Sequence, residues 1–433
     1  VNAAGGASAP PRPHVAIIGA GPAGLAAAEA LAPDHDVTVH DRMPGPGRKF
    51  LMAGRGGLNL THAAPRDAFL ARYRDAAPHL ATMLDDFPPA ALRAWSAGLG
   101  QETFVGSSDR VFPLAMKASP LLRAWTGRLE TLGVRLALRH RWVGWRDDGA
   151  LLFAREPGAP QAGTMPTTEA VAPQATILAL GGASWPRLGA DGAWVATLRD
   201  RGVTVATLAP SNCGVTIGWS AHLATRFAGA PLKRIALTIG DERVRGEAII
   251  TATGLEGGAV YALGAKLRAA LAAGGSARLV LDLRPDLDRA ALAARLAAAR
   301  AGESRANALR KAAGLPPVAI ALLREVHGAA LPGAPDALAA AIKRLALGVR
   351  GLADLDRAIS SAGGIAWDEL DAGLMLRRLP GVFACGEMID WDAPTGGFLL
   401  QACFATAHRA AAGVRRFLGS PPGEIPSAFG ATS

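Results

Sequence analysis

The glycine spacing near the amino end constrains this chain more than any other feature. Residues 14–19 read HVAIIG, a short β-branched run that ends on glycine. Such a run predicts a buried strand. Gly19-Ala20-Gly21-Pro22-Ala23-Gly24 follows, a G-x-G-x-x-G motif, and opens an Ala- and Leu-rich stretch that predicts a helix stopping at Pro33. DVTVH (36–40) alternates as a second strand and leads into Asp41, 22 residues after Gly19. Strand, tight turn, helix and parallel strand make a βαβ start, so the fold class is α/β and Rossmann-like. Gly19 permits the tight turn, Gly21 lets a pyrophosphate approach the backbone, and Gly24 lets helix pack on strand. Free N–H groups at the helix start hold the anion, with Ala20, Pro22 and Ala23 completing the turn. Asp41, with Arg42 beside it, would accept hydrogen bonds from the adenosine ribose hydroxyls. That suits NAD or FAD and disfavours a 2′-phosphate.

Composition narrows the class. The chain has 433 residues, half of them hydrophobic, which is ample for a buried core without disulfide or metal staples. Its three cysteines, Cys213, Cys385 and Cys403, form no C-x-x-C pair, which argues against a zinc ribbon or dithiol centre and for a reducing, cytoplasmic setting. The net charge of +10 comes largely from arginine interleaved with acids and apolar residues. This reads as a solvated surface, and nucleic acid is disfavoured as a partner. No run of about 18 uncharged apolar residues predicts a membrane span. The apolar run from Val15 to Ala28 is explained by its glycines as strand and turn rather than as a leader.

The texture changes along the chain. Residues 1–12 read as a flexible tail, 13–203 as the first part of a dinucleotide-binding domain, 204–350 as an insertion with a β part and a helical part, 351–418 as the second part, and 419–433 as a tail. Ser119-Pro120 predicts the N-cap and first turn of a helix through about Leu132. VRLALRHRW (134–142) follows as one strand, 156–173 as a surface loop, and ATILAL (175–180) as a buried strand. A hairpin is expected over 234–254 with its turn near Gly240-Asp241. Residues 258–345 read mostly as helices, GVFACGE (381–387) as a strand end, and Phe398 to Leu418 as a helix.

Four stretches carry a resemblance. They are GRKFLMAGRGGLNLTH (47–62), DRVFP (109–113), ATILALGGAS (175–184), and a carboxy-terminal set of AGGI from Ala362, GVFACGEMID (381–390) and TGGFLLQ (395–401). Together they resemble the bacterial flavoproteins that include aminoacetone oxidases and BaiN-type enoyl reductases. The resemblance spans about residues 14–418. It implies a two-part Rossmann-like FAD domain with an inserted β-domain and a small helical domain. It also implies bound FAD, a small-molecule substrate, and a flavin oxidoreductase activity. The FAD is expected to be non-covalent, because His62 and Cys385 alone among His and Cys fall in the flavin-contacting motifs and neither is expected to reach the C8-methyl.

The resemblance gives the remaining motifs a role. The glycine-rich cationic loop from Gly45 to Asn59 would line the pyrophosphate and flavin edge through Arg48, Lys49 and the amides of Gly56, Gly57, Leu58 and Asn59. The strand near Trp142 would meet adenine through backbone groups, and Gly181-Gly182 would bring backbone close to the dinucleotide. Gly396-Gly397, with Phe398 and Leu399, opens a helix whose N–H groups would face the flavin N1 and C2 carbonyl. Gly386-Glu387 ends a strand, and Glu387 and Asp390 would contact ribityl hydroxyls or structural waters. Two departures stand out. Many relatives read G-G-G-R-C-N where this chain has Gly54-Arg55-Gly56-Gly57-Leu58-Asn59. Their G-G-Y-N-L-Q is altered here at Phe398 and Leu399, so the substrate pocket differs. No second G-x-G-x-x-G in a strand–helix setting is present, which disfavours a separate NAD(P)H domain and leaves NAD(P)H open as a direct reductant. The histidines His62, His140, His222 and His408 read as structural, and Cys385 and Cys403 as small core residues. The leading expectation is hydride transfer between a small amine or enone/carbonyl substrate and flavin N5. The alternatives are a tRNA-modifying or nucleic-acid-associated flavoprotein, and a non-enzymatic electron carrier.

Overall fold

β1 (His14–Ile18) is almost wholly buried, because Val15, Ala16, Ile17 and Ile18 leave no polar side chain to solvate on either face. The computed structural model describes residues 11–106, 108–155, 168–300 and 302–419. Residues 1–10 and 420–433 of the expected tails, and residues 156–167 of the expected loop, lie outside the described residues. The chain divides into two compact units, 1–209 with 361–433 and 210–360.

In chain order the first unit begins with β1, α1 (Pro22–Leu31), β2 (Asp36–Asp41), α2 (Arg48–Ala53), α3 (Pro89–Gly98) and α4 (Ala118–Thr131). β3 (Arg135–Leu138), β4 (His140–Trp145), β5 (Leu151–Arg155), β6 (Thr168–Val171) and β7 (Ala175–Leu178) follow. The second unit contributes β8 (Val215–Thr216), β9 (Pro231–Ile239), β10 (Glu242–Ile250), β11 (Gly254–Glu256), β12 (Ala277–Asp282), β13 (Leu345–Val349) and β14 (Gly351–Leu352). The chain then returns through β15 (Val382–Ala384) to α5 (Phe398–Phe417).

The first unit is built on a parallel sheet of order β15-β7-β1-β2-β3. α1 starts with Gly21 as N-cap and Pro22 in its first turn, where a missing N–H costs nothing. It ends before Pro33 and buries an alanine-rich face beside α5. The carboxylate of Glu29 on α1 accepts the indole N–H of Trp95 on α3 at 2.9 Å and of Trp125 on α4 at 2.6 Å. Its other oxygen accepts Arg128 Nη1 at 2.9 Å. This satisfies the indoles of buried Trp125 and half-buried Trp95 at once and ties three helices together.

Four local expectations are corrected. α4 begins two residues early with Lys117 as N-cap, so Ser119 lies inside the first turn and is not the N-cap. The expected single strand 134–142 is two. Arg139 takes φ 59 and swings the chain from the parallel sheet into an antiparallel sheet of β4, β5 and β6. The expected loop 156–173 ends in strand β6. The glycine-rich loop 45–59 holds helix α2 and a 3-10 turn at Gly54–Gly56.

The second unit carries a seven-stranded sheet of order β13-β12-β9-β10-β11-β8-β14 and its own apolar core. β9 and β10 pair as the expected hairpin through Ile239 and Glu242. Helices Gly264–Gly274, Pro317–His327 and Pro335–Lys343 belong to this unit. Strand β12 interrupts the helical reading of 258–345. Its alternate residues Ala277, Leu279 and Leu281 are buried in a period-two pattern.

Candidate functional site

A crevice of about 340 Å³ opens where β1, β2 and β7 end, in the size range of small-molecule sites. β1 lies between β2 on one side and β7 on the other, so the sheet order reverses there, which is where open α/β sheets bind ligands. Three glycines serve three different needs. A Cβ on Gly19, which has φ +110°, would lie 2.3 Å from the Ala179 carbonyl oxygen. A Cβ on Gly24 would lie 1.9 Å from the Gly19 carbonyl oxygen. A Cβ on Gly21 would meet nothing within 4 Å, because that position faces open space in the crevice.

Asp41 braces this turn. Oδ2 accepts the Ala20 N–H and Oδ1 the Met43 N–H, both at 2.7 Å. Burial pushes its carboxyl up, opposed by the Met43 and Ala20 amides and by Arg42 and Arg48. A carboxylate has about four acceptor positions, so both oxygens keep capacity for a ligand hydroxyl. The Gly47 N–H donates to the Ala20 carbonyl at 2.8 Å and holds the start of α2 against the same turn. Arg48 lines the crevice, and its buried Nε has no hydrogen-bond partner among the described residues.

One end of the crevice is aromatic. His40 and His140 line it beside Trp142, and His40 stacks on Phe153 at 4.1 Å. Burial holds the His40 imidazole neutral, with its pKa lowered to about 4, helped by His140, His14 and Arg135. The buried Trp142 Nε1 has no partner among the described residues. The facing wall is formed by Gly181 and the segment 188–197. There Trp194 Nε1 donates to the Gly181 carbonyl at 2.9 Å, and Arg42 pairs with Asp191.

The other end is polar. Lys49 Nζ donates to Ser184 Oγ at 2.5 Å and to Glu387 Oε2 at 2.8 Å. Glu387 Oε1 accepts the Ser361 N–H at 2.8 Å, and Ser361 Oγ accepts the Ala183 N–H at 2.9 Å. Cys385 and Cys403 line this end, so they are more than core filling. Burial pushes the Cys403 thiol up to about 12, with the Glu387 charge adding to it, and pushes Cys385 up as well. Both stay protonated and unreactive at neutral pH.

The expected residues therefore separate into two groups. Gly19, Ala20, Gly21, Pro22, Ala23, Asp41, Arg42, Arg48, Lys49, Trp142, Gly181 and Glu387 line the crevice. The others do not. Gly24 packs on Gly19, Gly182 would place a Cβ 2.3 Å from Ser361 Oγ, and Gly386 would place one 2.7 Å from Ala23 Cβ. Gly56, Gly57, Leu58 and Asn59 lie outside the lining. Leu58 is fully buried and donates its N–H to the Met116 carbonyl. Asp390 donates its N–H to the Ile365 carbonyl. Gly397, at φ +94°, would place a Cβ 2.5 Å from the Thr61 backbone. Phe398 is buried between His62 and Phe69, at ring distances of 5.0 and 4.8 Å, and Leu399 follows it into the helix. The sequence reading missed Met43, His40, Ser184, Ser361 and Trp194. Only the placement of His40 immediately before Asp41 offered a signal.

The residues present fit a dinucleotide. A helix start and the unpartnered Arg48 N–H suit a pyrophosphate, and Asp41 suits a ribose. A family model described as HI0933-like protein Rossmann domain matches residues 13–413. A 3-dehydro-bile acid delta(4,6)-reductase of Clostridium scindens is 25% identical over 415 residues, which span 92% of this chain and 98% of that protein. Among solved structures, a 3-ketosteroid delta1-dehydrogenase from Sterolibacterium denitrificans in complex with 1,4-androstadiene-3,17-dione has a TM-score of 0.52 at 13% identity. That match covers 93% of this chain and 99% of the other. A 3-ketosteroid-delta4-(5alpha)-dehydrogenase from Rhodococcus jostii RHA1 has a TM-score of 0.49 at 16% identity, covering 94% and 97%. The first of these two likenesses is one of fold.

Proposed function

The chain belongs to the HI0933-like Rossmann family and is an FAD-dependent oxidoreductase; within that class we propose that it moves a hydride between a small organic substrate and the flavin N5. Bound FAD supplies the redox chemistry, and the protein supplies position and electrostatics. The observation that carries the reading is the open face at Gly21, at the start of α1, in the crevice that Arg48 with its unpartnered Nε also lines. Asp41 holds the ribose end while bracing the turn. Trp142 and His40 enclose the adenine end. Lys49 and Glu387 form the polar wall at the opposite end, where Lys49 places a positive charge.

Two substrate classes enter the reading, amines and enones or carbonyls. The similarity to a 3-dehydro-bile acid delta(4,6)-reductase supports placing enones first. NADH or NADPH is proposed as the reductant that reaches the flavin directly. The test is an absorption spectrum of the purified protein, then anaerobic reduction with NADH, NADPH and a panel of amines, with reoxidation by enones. A flavin spectrum whose colour is fully released by acid precipitation is expected. A protein that takes up no FAD overturns the reading. Colour retained on the precipitated chain overturns its non-covalent part.

A further inference from the structure

The seven-stranded sheet of the second unit does not quite close on itself. β13 and β14 are consecutive in the chain, joined by Arg350 alone, yet they stand at opposite ends of the sheet. The Arg350 N–H donates to the Thr216 carbonyl at 2.9 Å, so the chain crosses the opening beside β8. The seam left there is a groove of about 530 Å³.

The lining of this groove is chemically one-sided. Small residues Gly218, Ala346 and Gly348 line it together with Ser276, Arg278 and Arg350, and its remaining lining is apolar. Arg278 stands opposite Gly348 across the β12–β13 pair. A Cβ at Gly218 would lie 2.3 Å from Arg350 Cζ, so the guanidinium rests on that glycine. Among the described residues no carboxylate lines the groove, and neither Arg278 nor Arg350 has an ion-pair partner. Many other arginines on this unit are neutralised locally: Arg243 by Asp282, Arg245 by Asp286 and Arg289 by Asp336.

Charge is also divided unevenly. Residues 210–360 hold twenty Arg and Lys against twelve Asp and Glu, and so carry eight of the chain's ten net positive charges. A field of that sign concentrates anions near the unit, and two unpaired guanidinium groups give them a place to dock.

We propose that the seam groove between β8, β12 and β13 is an anion site, built by Arg278 and Arg350, for a small ligand bearing a phosphate or sulfate group. Guanidinium groups present planar N–H forks that match such tetrahedral oxyanions. The open face at Gly348, where a Cβ would meet nothing within 4 Å, leaves room for the body of the ligand. Two arginines over a groove of this size suit one anionic group rather than the backbone of a nucleic acid, which needs many contacts. The inference is independent of the flavin reading.

The test uses full-length protein saturated with FAD, so that the crevice at Gly21 is filled. Inorganic phosphate, inorganic sulfate and ribose 5-phosphate are titrated calorimetrically at low ionic strength, where exposed charges are least screened. Tighter binding of ribose 5-phosphate than of phosphate would identify a phosphorylated organic ligand, and equal binding a free anion; either supports the site. The double variant R278Q/R350Q is expected to bind at least tenfold more weakly than wild type. A control, R295Q/R310Q, removes the same charge elsewhere on the unit and is expected to bind like wild type. Melting curves of all three proteins show whether they are folded. The proposal is overturned if phosphate, sulfate and ribose 5-phosphate all fail to bind, or if the double variant binds them as wild type does. It is also overturned if both double variants weaken equally, or if a single-stranded RNA binds and is lost equally from both.

Discussion

Lys49 Nζ lies 2.8 Å from Glu387 Oε2 and so joins residues 338 positions apart, one at the start of α2 and one just after β15. Both side chains are mostly shielded, at 27% and 13% exposure. Removing one partner of a shielded pair leaves the other uncompensated, which costs more than the pair itself contributes. K49M is expected to destabilise the protein by about 2–3 kcal/mol, and K49M/E387Q by less than the sum of the two single changes. Urea unfolding of the four proteins in this cycle measures the coupling, and strict additivity would show that the two groups act independently.

Gly21 and Gly24 separate binding from folding. G21A adds a methyl group that points into open space, so the protein should fold with a nearly unchanged melting temperature and bind FAD at least tenfold more weakly. G24A drives a methyl into the Gly19 carbonyl, and soluble folded protein should be lost. Flavin fluorescence titration and thermal melting distinguish the two outcomes. If G21A binds FAD as tightly as wild type, the dinucleotide does not approach that turn.

Asp41 has two tasks, and substitution should show both. D41A removes the acceptor for the Ala20 and Met43 N–H groups as well as the acceptor proposed for the ribose. Charge-assisted bonds contribute about 1.5–3 kcal/mol each, so FAD affinity should fall at least tenfold. D41N keeps an acceptor oxygen for one of the two amides, and should lose less stability than D41A. The flavin chemistry should persist in both at saturating FAD. An unchanged dissociation constant in D41A would place the ribose elsewhere.

His40 predicts an acid-sensitive fold. Its pKa is lowered from 6.5 to about 4 by burial, so the folded state favours the neutral ring. That contribution is fully present above pH 6.5 and is lost as pH falls toward 4. The interval corresponds to about 3 kcal/mol. Urea unfolding at pH 7 and at pH 4.5 should show a smaller acid loss in H40Q than in wild type. Equal losses would mean that His40 is already exposed or charged.

Much of the first unit was legible because its signals are local. The turn Gly19–Gly24 announces itself within six residues, although the carbonyl that Gly19 must clear belongs to Ala179, and the helix that follows is marked by its alanines and Pro33. The flanking strands announce themselves by β-branched runs. The rest depends on approach across the fold. Nothing near Asp41 in sequence says that Ala20 and Met43 will occupy its oxygens. Nothing near Lys49 announces Glu387, Ser184 or Ser361. Phe398 was expected at the cofactor from the resemblance, and nothing near it in sequence says that Gly397 will pack on Thr61. Strand β12 was hidden because its period-two alternation is short and lies among alanine- and arginine-rich helices. Arg139 gave no warning, since non-glycine residues at positive φ are uncommon and are set by the packing on either side.

The grip of Glu29 on two indoles has a mechanical meaning for the crevice. α1 is a rod of ten residues, about 15 Å long, with Gly21 before its first turn and Glu29 near its last. Three donors from two other helices meet one carboxylate, so the rod cannot spin about its own axis without tearing a buried contact. A helix that cannot spin must present its leading amides in one direction. The clamp therefore acts as a key on a shaft, setting at one end the angle at which the other end meets its ligand, with Trp95, Trp125 and Arg128 as the teeth.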